Sequence, residues 1–150
     1  MPTTYDTYFE LLPASEQKAQ RGTFTYGYKK HLGIAGFQKL INKWTKAFLT
    51  EQGTDLSRRL YGTQFPSLIG SNVTDRLDVQ QIAHTAVAKA TQDVLGIQAR
   101  FPPEDAQEIL HSVQLTSLIF EDNSSVSVYV LLQNQAGKRL QIILAGKVGA

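Results

Sequence analysis

The residues of this chain that could support metal or nucleophilic chemistry are few and scattered. Its three histidines, His31, His84 and His111, stand far apart, and the chain contains no cysteine. Zinc sites in proteins use cysteine and histidine ligands at short, characteristic spacings. The sequence also lacks a glycine-rich phosphate-binding motif and a nucleophile elbow. We therefore expect no metal, no cofactor and no catalytic residue.

One group of carboxylates deserves comparison with an enzyme site. Glu104, Asp105 and Glu108 lie close together in the sequence, and glycoside hydrolysis needs only two carboxylates a few ångströms apart. However, they follow Pro102 and Pro103, a pattern that is typical of the start of a short helix, where acids interact favourably with the helix dipole. We favour this structural interpretation, and hydrolysis by Glu104 and Glu108 is an alternative.

The N-terminal segment, residues 1–33, differs from the remainder of the chain. It holds four of the six tyrosines together with lysines and an arginine, and it shows no sustained helical or strand period. Such a composition is typical of an arm that lies on its own domain or on a neighbouring subunit. Rings and cations could also bind single-stranded nucleic acid, so an adaptor that binds nucleic acid through this arm is a second alternative.

The composition favours a globular protein. The 150 residues are 42% hydrophobic and 19% charged, which is too apolar for a disordered chain. No run of about 18 apolar residues is present, and the N-terminus lacks the pattern of a signal peptide, so we expect synthesis in the cytoplasm and no membrane partner. The net charge of +2 does not by itself indicate nucleic-acid binding.

Two main helices are predicted in the first part of residues 34–150, which we interpret as a single domain. Apolar residues recur at helical spacing from Ile34 to Leu49, with Gly53 suited to the turn that ends the helix and Lys39, Lys43 and Lys46 facing away from the apolar stripe. The second helix is predicted to begin after the capping residue Asp78 and to stop at Gly96. The connection between them, residues 54–74, is rich in turn residues, and we expect it to bury Leu60, Tyr61, Phe65, Leu68 and Ile69.

The last part of the chain changes to the two-residue period of β-strands. Strands are predicted at 109–120, 126–133 and 139–145, with a hairpin loop at 134–137. The order of helices followed by strands predicts an α+β fold with a small antiparallel sheet of about three strands. Residues 125–146 contain no proline, and their only charges are Lys138 and Arg139. Because natural sheets usually protect their edges with prolines or charges, this hairpin is predicted to accept a strand from a partner. The alternative is that a helix or the N-terminal arm covers this edge within the monomer.

The order and spacing of these segments resemble a known family. The chain reads FLTEQGTD, RRLYGTQFPSLI, LDVQQIAHTAVAKATQDVLG, PPEDAQEIL, VQLTSLIF, SVSVYVLLQ and KRLQIIL in turn. In this layout residues 34–145 resemble the small baseplate wedge protein of contractile phage tails, the sheath initiator, historically labelled lysozyme-like. Members carry a Glu-Pro-Arg motif after the second helix. Here Gln98-Ala99-Arg100 occupies that place, so only Arg100 is carried over.

The resemblance implies a structural subunit and not an enzyme. It implies a place in the virion, in the tail baseplate, with other wedge proteins and the tail sheath protein as partners and several copies arranged in a ring. A contact with the wedge is expected near Tyr61, Gly62 and Arg100. The sheet would start the first sheath ring by accepting strands at an edge, which we expect at Val128, Val130, Leu140, Ile142 and Leu144.

Overall fold

The computed structural model of the protein describes residues 35–69, 71, 75–122 and 125–147. The predicted N-terminal arm, residues 1–33, lies outside this part of the chain. The elements are helix α1 (Phe37–Leu49), the short helix α2 (Phe65–Leu68), helix α3 (Arg76–Arg100), a 3-10 turn (Ala106–Glu108), and strands β1 (Leu110–Asp122), β2 (Ser125–Asn134) and β3 (Arg139–Lys147). The predicted α+β fold is confirmed.

Helix α1 is held by the apolar stripe that the sequence predicts. Trp44 and Phe48 are fully buried, their rings stack 5.3 Å apart, and Phe48 meets Phe65 of α2 at 4.7 Å. The indole Nε1 of Trp44 donates a hydrogen bond of 3.2 Å to Thr91 Oγ1 on α3. The buried aromatic rings and this bond therefore fix the position of α1 against α3 and α2.

Two details of α1 differ from the prediction. Lys39 does not face away from the core but is 5% exposed, because its ammonium group has a carboxylate partner inside the protein. The helix ends at Leu49, where Thr50 turns into an extended conformation, so Gly53 is not the residue that stops it. Gly53 instead occupies a positive φ of 95° in the turn that follows.

Helix α3 is longer than predicted at both ends. Its N-cap is Asp75, whose side chain accepts a hydrogen bond from the Leu77 N–H, and Asp78 lies in the first turn. Gly96 does not stop the helix, which continues to Arg100 and ends just before Pro102. A glycine in the middle of a helix costs about 1 kcal/mol relative to alanine. The buried contacts of Gln98, described below, lie beyond Gly96 and offset that cost.

The sheet is antiparallel with the strand order β1-β2-β3. Val126, Val128, Val130 and Leu132 alternate along the central strand β2 and are buried beneath the helices. Ile142 and Leu144 of β3 continue this inner face. Helix α3 lies against β1, and α1 also reaches β2. The two-residue period of the sequence therefore matches the face that the helices cover.

No helix among the described residues is long and apolar enough to cross a membrane.

Candidate partner-binding surfaces

Both outer strands of the sheet are edges within the described part of the chain, but they differ in regularity. Strand β3 pairs with β2 from Arg139 to Lys147 without a register shift. Strand β1 pairs with β2 with three register shifts, between Leu110 and Ser112, between Leu115 and Ser117, and between Phe120 and Asp122. Bulges twist a strand and interrupt its hydrogen-bonding row. Strand β3 is therefore the straighter of the two edges.

The structure corrects the predicted edge in one respect. Val128 and Val130 do not lie on an edge, because β2 is the central strand and pairs with a neighbour on each side. Both side chains are fully buried, so neither the main chain nor the side chain of these residues is accessible to a partner strand. The sequence does not reveal this, since the order of three consecutive strands in a sheet is not a local property.

Leu140, Ile142 and Leu144 lie on β3, and their role in binding a partner stays a prediction. Ile142 and Leu144 direct their side chains into the core, whereas Leu140, near the hairpin loop, is 38% exposed. An edge strand offers its main chain, so buried side chains do not prevent pairing at this edge. At the far end of β3, a side chain at Gly146 would meet Ile69 Cγ1 at 3.4 Å, which places the segment after α2 beside the end of the strand.

The hairpin loop is fastened to the segment that precedes β1. Asn134 is fully buried, and its Nδ2 donates to the Gln107 carbonyl at 3.1 Å while its Oδ1 accepts from the Lys138 N–H at 2.8 Å. The Gln135 N–H also donates to the Ile109 carbonyl at 3.0 Å. These bonds hold the start of β3 against the body of the protein.

The candidate catalytic acids have structural contacts. Glu108 forms an ion pair of 3.1 Å with Lys39, and its other carboxylate oxygen accepts from the Gly36 N–H at 3.2 Å. This places a carboxylate at the start of α1, where the helix dipole stabilises it. Asp105 caps the 3-10 turn by accepting from the Gln107 N–H, and Glu104 is exposed. No local pattern in the sequence indicates that Lys39 and Glu108 meet.

Gln98 belongs to the same network and was not identified from the sequence as a buried residue. Its Nε2 donates to the Glu108 carbonyl at 2.7 Å, and its Oε1 accepts from the Leu110 N–H at 3.0 Å. It thereby joins α3 to the start of β1. Gln98 is therefore a structural residue that links two elements inside the protein.

The Tyr61-Gly62 turn, one part of the predicted wedge contact, is fixed to the middle of α3. The Gly62 N–H donates to Asp93 Oδ2 at 2.9 Å, and Lys89 pairs with Asp93 while also donating to the Leu60 carbonyl at 2.6 Å. Gly62 has a φ of 103°, and a side chain there would meet the Thr50 carbonyl oxygen at 2.5 Å. Only glycine suits this position.

Arg100, the other part of the predicted wedge contact, is the exposed last residue of α3. It lies seven residues beyond Asp93, which corresponds to roughly 10 Å along the helix axis and to nearly the same face. None of the contacts described for this chain joins Arg100 to the Tyr61-Gly62 turn. A partner that touches both must therefore span about two turns of α3, and the wedge contact at these residues stays a prediction.

Within the described ranges, no three or more histidine, aspartate or glutamate residues are arranged to hold a metal ion.

No protein-family model matches this chain, and comparisons with curated proteins and with solved structures found no similar protein.

Proposed function

We propose that this protein is a structural component of a phage contractile-tail baseplate wedge and that it starts tail sheath assembly by accepting a β-strand at the β3 edge. Its partners in this proposal are the other wedge proteins and the tail sheath protein. The proposal joins the resemblance in segment order to the geometry of the sheet. It assigns no catalytic residue to the chain.

The observation that carries the proposal is the uninterrupted edge of β3. The strand contains no proline and no register shift, and between Arg139 and Lys147 it carries no charge. Natural proteins protect an edge with prolines, bulges and charges. The interior of β3 has none of these, which supports addition of a further strand. The straight register also supports a template function, because an incoming strand bonds to main-chain groups that recur regularly along the edge.

The anchoring of the hairpin loop supports the same function. Asn134 holds the start of β3 to residues 107 and 138 through buried hydrogen bonds. A strand that is already ordered loses little conformational entropy when a partner binds, which favours association. The Glu108 carboxylate has an ion pair with Lys39 and a hydrogen bond from the Gly36 N–H, which favour a structural role over a role in hydrolysis.

Single proline substitutions at Leu140 and Gln141 test the proposal. In an antiparallel edge strand, N–H groups alternate between pointing to the neighbour and pointing outward, so one of these two prolines leaves the pairing with β2 intact. Both side chains are exposed, so the core is preserved. The variant that stays folded, as judged by circular dichroism and gel filtration, is expected to abolish sheath polymerisation on reconstituted baseplates.

The matched control is Thr116→Pro at a bulge of the β1 edge, where proline is tolerated. This variant is expected to start sheath assembly normally. Normal sheath assembly by the folded β3 variant would contradict the proposal.

A further inference from the structure

The loop between α1 and α2 exposes two leucine side chains to solvent. Leu56 is 86% exposed and Leu60 is 77% exposed, and Leu56 is the most exposed large hydrophobic residue in the described part of the chain. The sequence predicts that Leu60 is buried, and this prediction is wrong. We refer to residues 54–62 as the leucine loop. Single exposed leucines are common, but two on one short segment are the beginning of an apolar patch.

The leucine loop is built by its own polar contacts. Asp55 Oδ1 accepts hydrogen bonds from the Ser57 N–H at 3.0 Å, the Ser57 hydroxyl at 2.7 Å and the Arg58 N–H at 3.2 Å. The hydrogen bond from the Ser57 side chain holds the pKa of Asp55 below its ordinary value. Arg58 pairs with Asp55 at 3.0 Å and lies over the Tyr61 ring at 4.2 Å. The loop is therefore ordered without help from either leucine.

The C-terminal end of the loop is hydrogen-bonded to α3. Lys89 donates to the Leu60 carbonyl, and Asp93 accepts from the Gly62 N–H. These contacts use the main chain of Leu60 and leave its side chain in solvent. Ordering a loop costs conformational entropy, yet here the order places two apolar side chains where nothing in the described structure covers them. A partner that buries them meets a surface that is already formed, which lowers the cost of binding.

The charges of the loop indicate the chemistry of that partner. Arg58 is matched by Asp55 and Lys89 by Asp93, whereas Arg59 is exposed and forms no ion pair with any described residue. Arg59 stands directly beside Leu60, so a carboxylate on the partner would meet it at the border of the apolar contact. Arginine is enriched among the residues that dominate the binding energy of protein interfaces, and the buried core of an interface is apolar.

We propose that the leucine loop is a docking surface for another protein of the baseplate wedge, which buries Leu56 and Leu60 in an apolar pocket and places a carboxylate against Arg59. This inference rests on the proposed function, and it adds Leu56, Arg59 and Leu60 to the contact expected at Tyr61 and Gly62. A membrane surface fits less well. Peripheral membrane segments need several unmatched cations, and the loop has Arg59 alone.

The test uses the wedge reconstituted without this subunit as the probe, and biolayer interferometry measures how strongly the full chain binds to it. Leu56→Ser and Leu60→Ser are each expected to weaken binding at least about tenfold. Arg59→Glu is expected to weaken it by a comparable factor, with less dependence on salt than the wild type. Since neither leucine supports the loop, circular dichroism should show all three variants folded and equally stable.

Leu77→Ser is the matched control. Leu77 is 66% exposed in the first turn of α3, roughly 18 Å along the helix axis from Lys89, and its replacement is expected to leave binding unchanged. Wild-type strength in both leucine variants would overturn the inference while leaving the proposed function intact. If the wild type does not bind the wedge at all, the proposed function fails and the inference with it.

Two further measurements address other occupants of the same surface. Sedimentation of the isolated protein shows whether the loop binds a second copy, and co-sedimentation with phosphatidylserine vesicles shows whether it binds an anionic membrane. The inference expects a monomer that does not sediment with vesicles. Self-association or vesicle binding that Leu60→Ser abolishes would overturn it.

Discussion

The two edges of the sheet come from the same chain and pair with the same central strand, yet they differ in form. Strand β1 is the longer one, and three register shifts interrupt its pairing with β2. Strand β3 is shorter and runs beside β2 without interruption. Helix α3 packs along β1, whereas none of the described helices packs on β3 to a comparable extent. One edge is bent and supported by a helix, and the other is straight.

This difference bears on the proposed strand addition, which requires a regular edge. A bulge breaks the even spacing of main-chain groups that an incoming strand requires. Three bulges therefore make β1 the less regular edge, and β3 is the edge that the proposed function uses as a template. Substitutions near residues 105–110 should affect both edges, whereas substitutions within a strand should affect one edge alone.

The largest effect is expected from Glu108→Gln, which removes the support shared by both edges. It removes the charge of the carboxylate that pairs with the buried Lys39 ammonium group, and breaking a buried ion pair in this way costs about 3 kcal/mol. Chemical denaturation would measure the loss. The matched control is Glu104→Gln, which changes an exposed carboxylate and is expected to alter stability by less than about 0.5 kcal/mol.

Equal losses in the Glu108 and Glu104 variants would show that the ion pair contributes nothing to stability. Hydrogen exchange should rise at the start of β1 and in the hairpin loop before β3 of the Glu108 variant, because residues 105–110 lead into β1 and are hydrogen-bonded to Asn134, Gln135 and Lys138.

Asn134→Ala should loosen the β3 side more than the β1 side. It leaves the Gln107 carbonyl and the Lys138 N–H without their buried partner, which we expect to cost about 2 kcal/mol. Hydrogen exchange resolved by strand should accelerate at residues 138–141 before it accelerates in β1. Acceleration that begins in β1 would disagree with the anchoring of the hairpin described above.

Deletion of Thr116 tests whether a bulge protects the β1 edge. Leu115 faces Val130 and Ser117 faces Tyr129, so Thr116 is the extra residue of a bulge. Its removal restores strict alternation between Ser112 and Phe120. We expect a stability change of about 1 kcal/mol or less and a new tendency of β1 to self-associate, measured by light scattering. A deletion variant as monomeric as the wild type would mean that the bulge at Thr116 is not needed to protect this edge.

The smallest effect is expected from Thr45→Val in α1, away from both edges. The buried Thr45 hydroxyl has no hydrogen-bond partner in the described structure, so its replacement by a methyl group should be neutral or stabilising by up to about 1 kcal/mol. Thermal unfolding would measure the shift, and sheath assembly should stay unchanged. A clear loss of stability would indicate that this hydroxyl has a partner after all.

The sequence predicted the elements better than their ends. The apolar stripe of α1 and the alternation of β2 were recognised because burial on one face imposes a period on the residues themselves. The predicted ends of α3 are wrong. At its start, Asp75 and Asp78 are both suitable N-caps, and the sequence alone does not distinguish them. Gly96 is a local stop signal that the buried bonds of Gln98 override.

The candidate surfaces were predictable only in part. The absence of proline and the scarcity of charge in residues 125–146 are visible in the sequence, and they identified the hairpin. The assignment of Val128 and Val130 to an edge failed because strand order is decided by pairing between distant segments. The sequence does not reveal the leucine loop for a related reason. Leucine is usually a core residue, and only the structure shows that Lys89 and Asp93 hold the loop by its main chain while the Leu60 side chain is exposed.

The sequence by itself determined the order of helices and strands and the apolar faces that must meet, because these follow from short-range periodicity and from removing apolar surface from water. Only the tertiary structure decided that Lys39 meets Glu108, that β2 lies between two edges, and that β3 is the straight one. Those features depend on residues far apart in the chain, whose partners become defined when burial forces each polar group to find one.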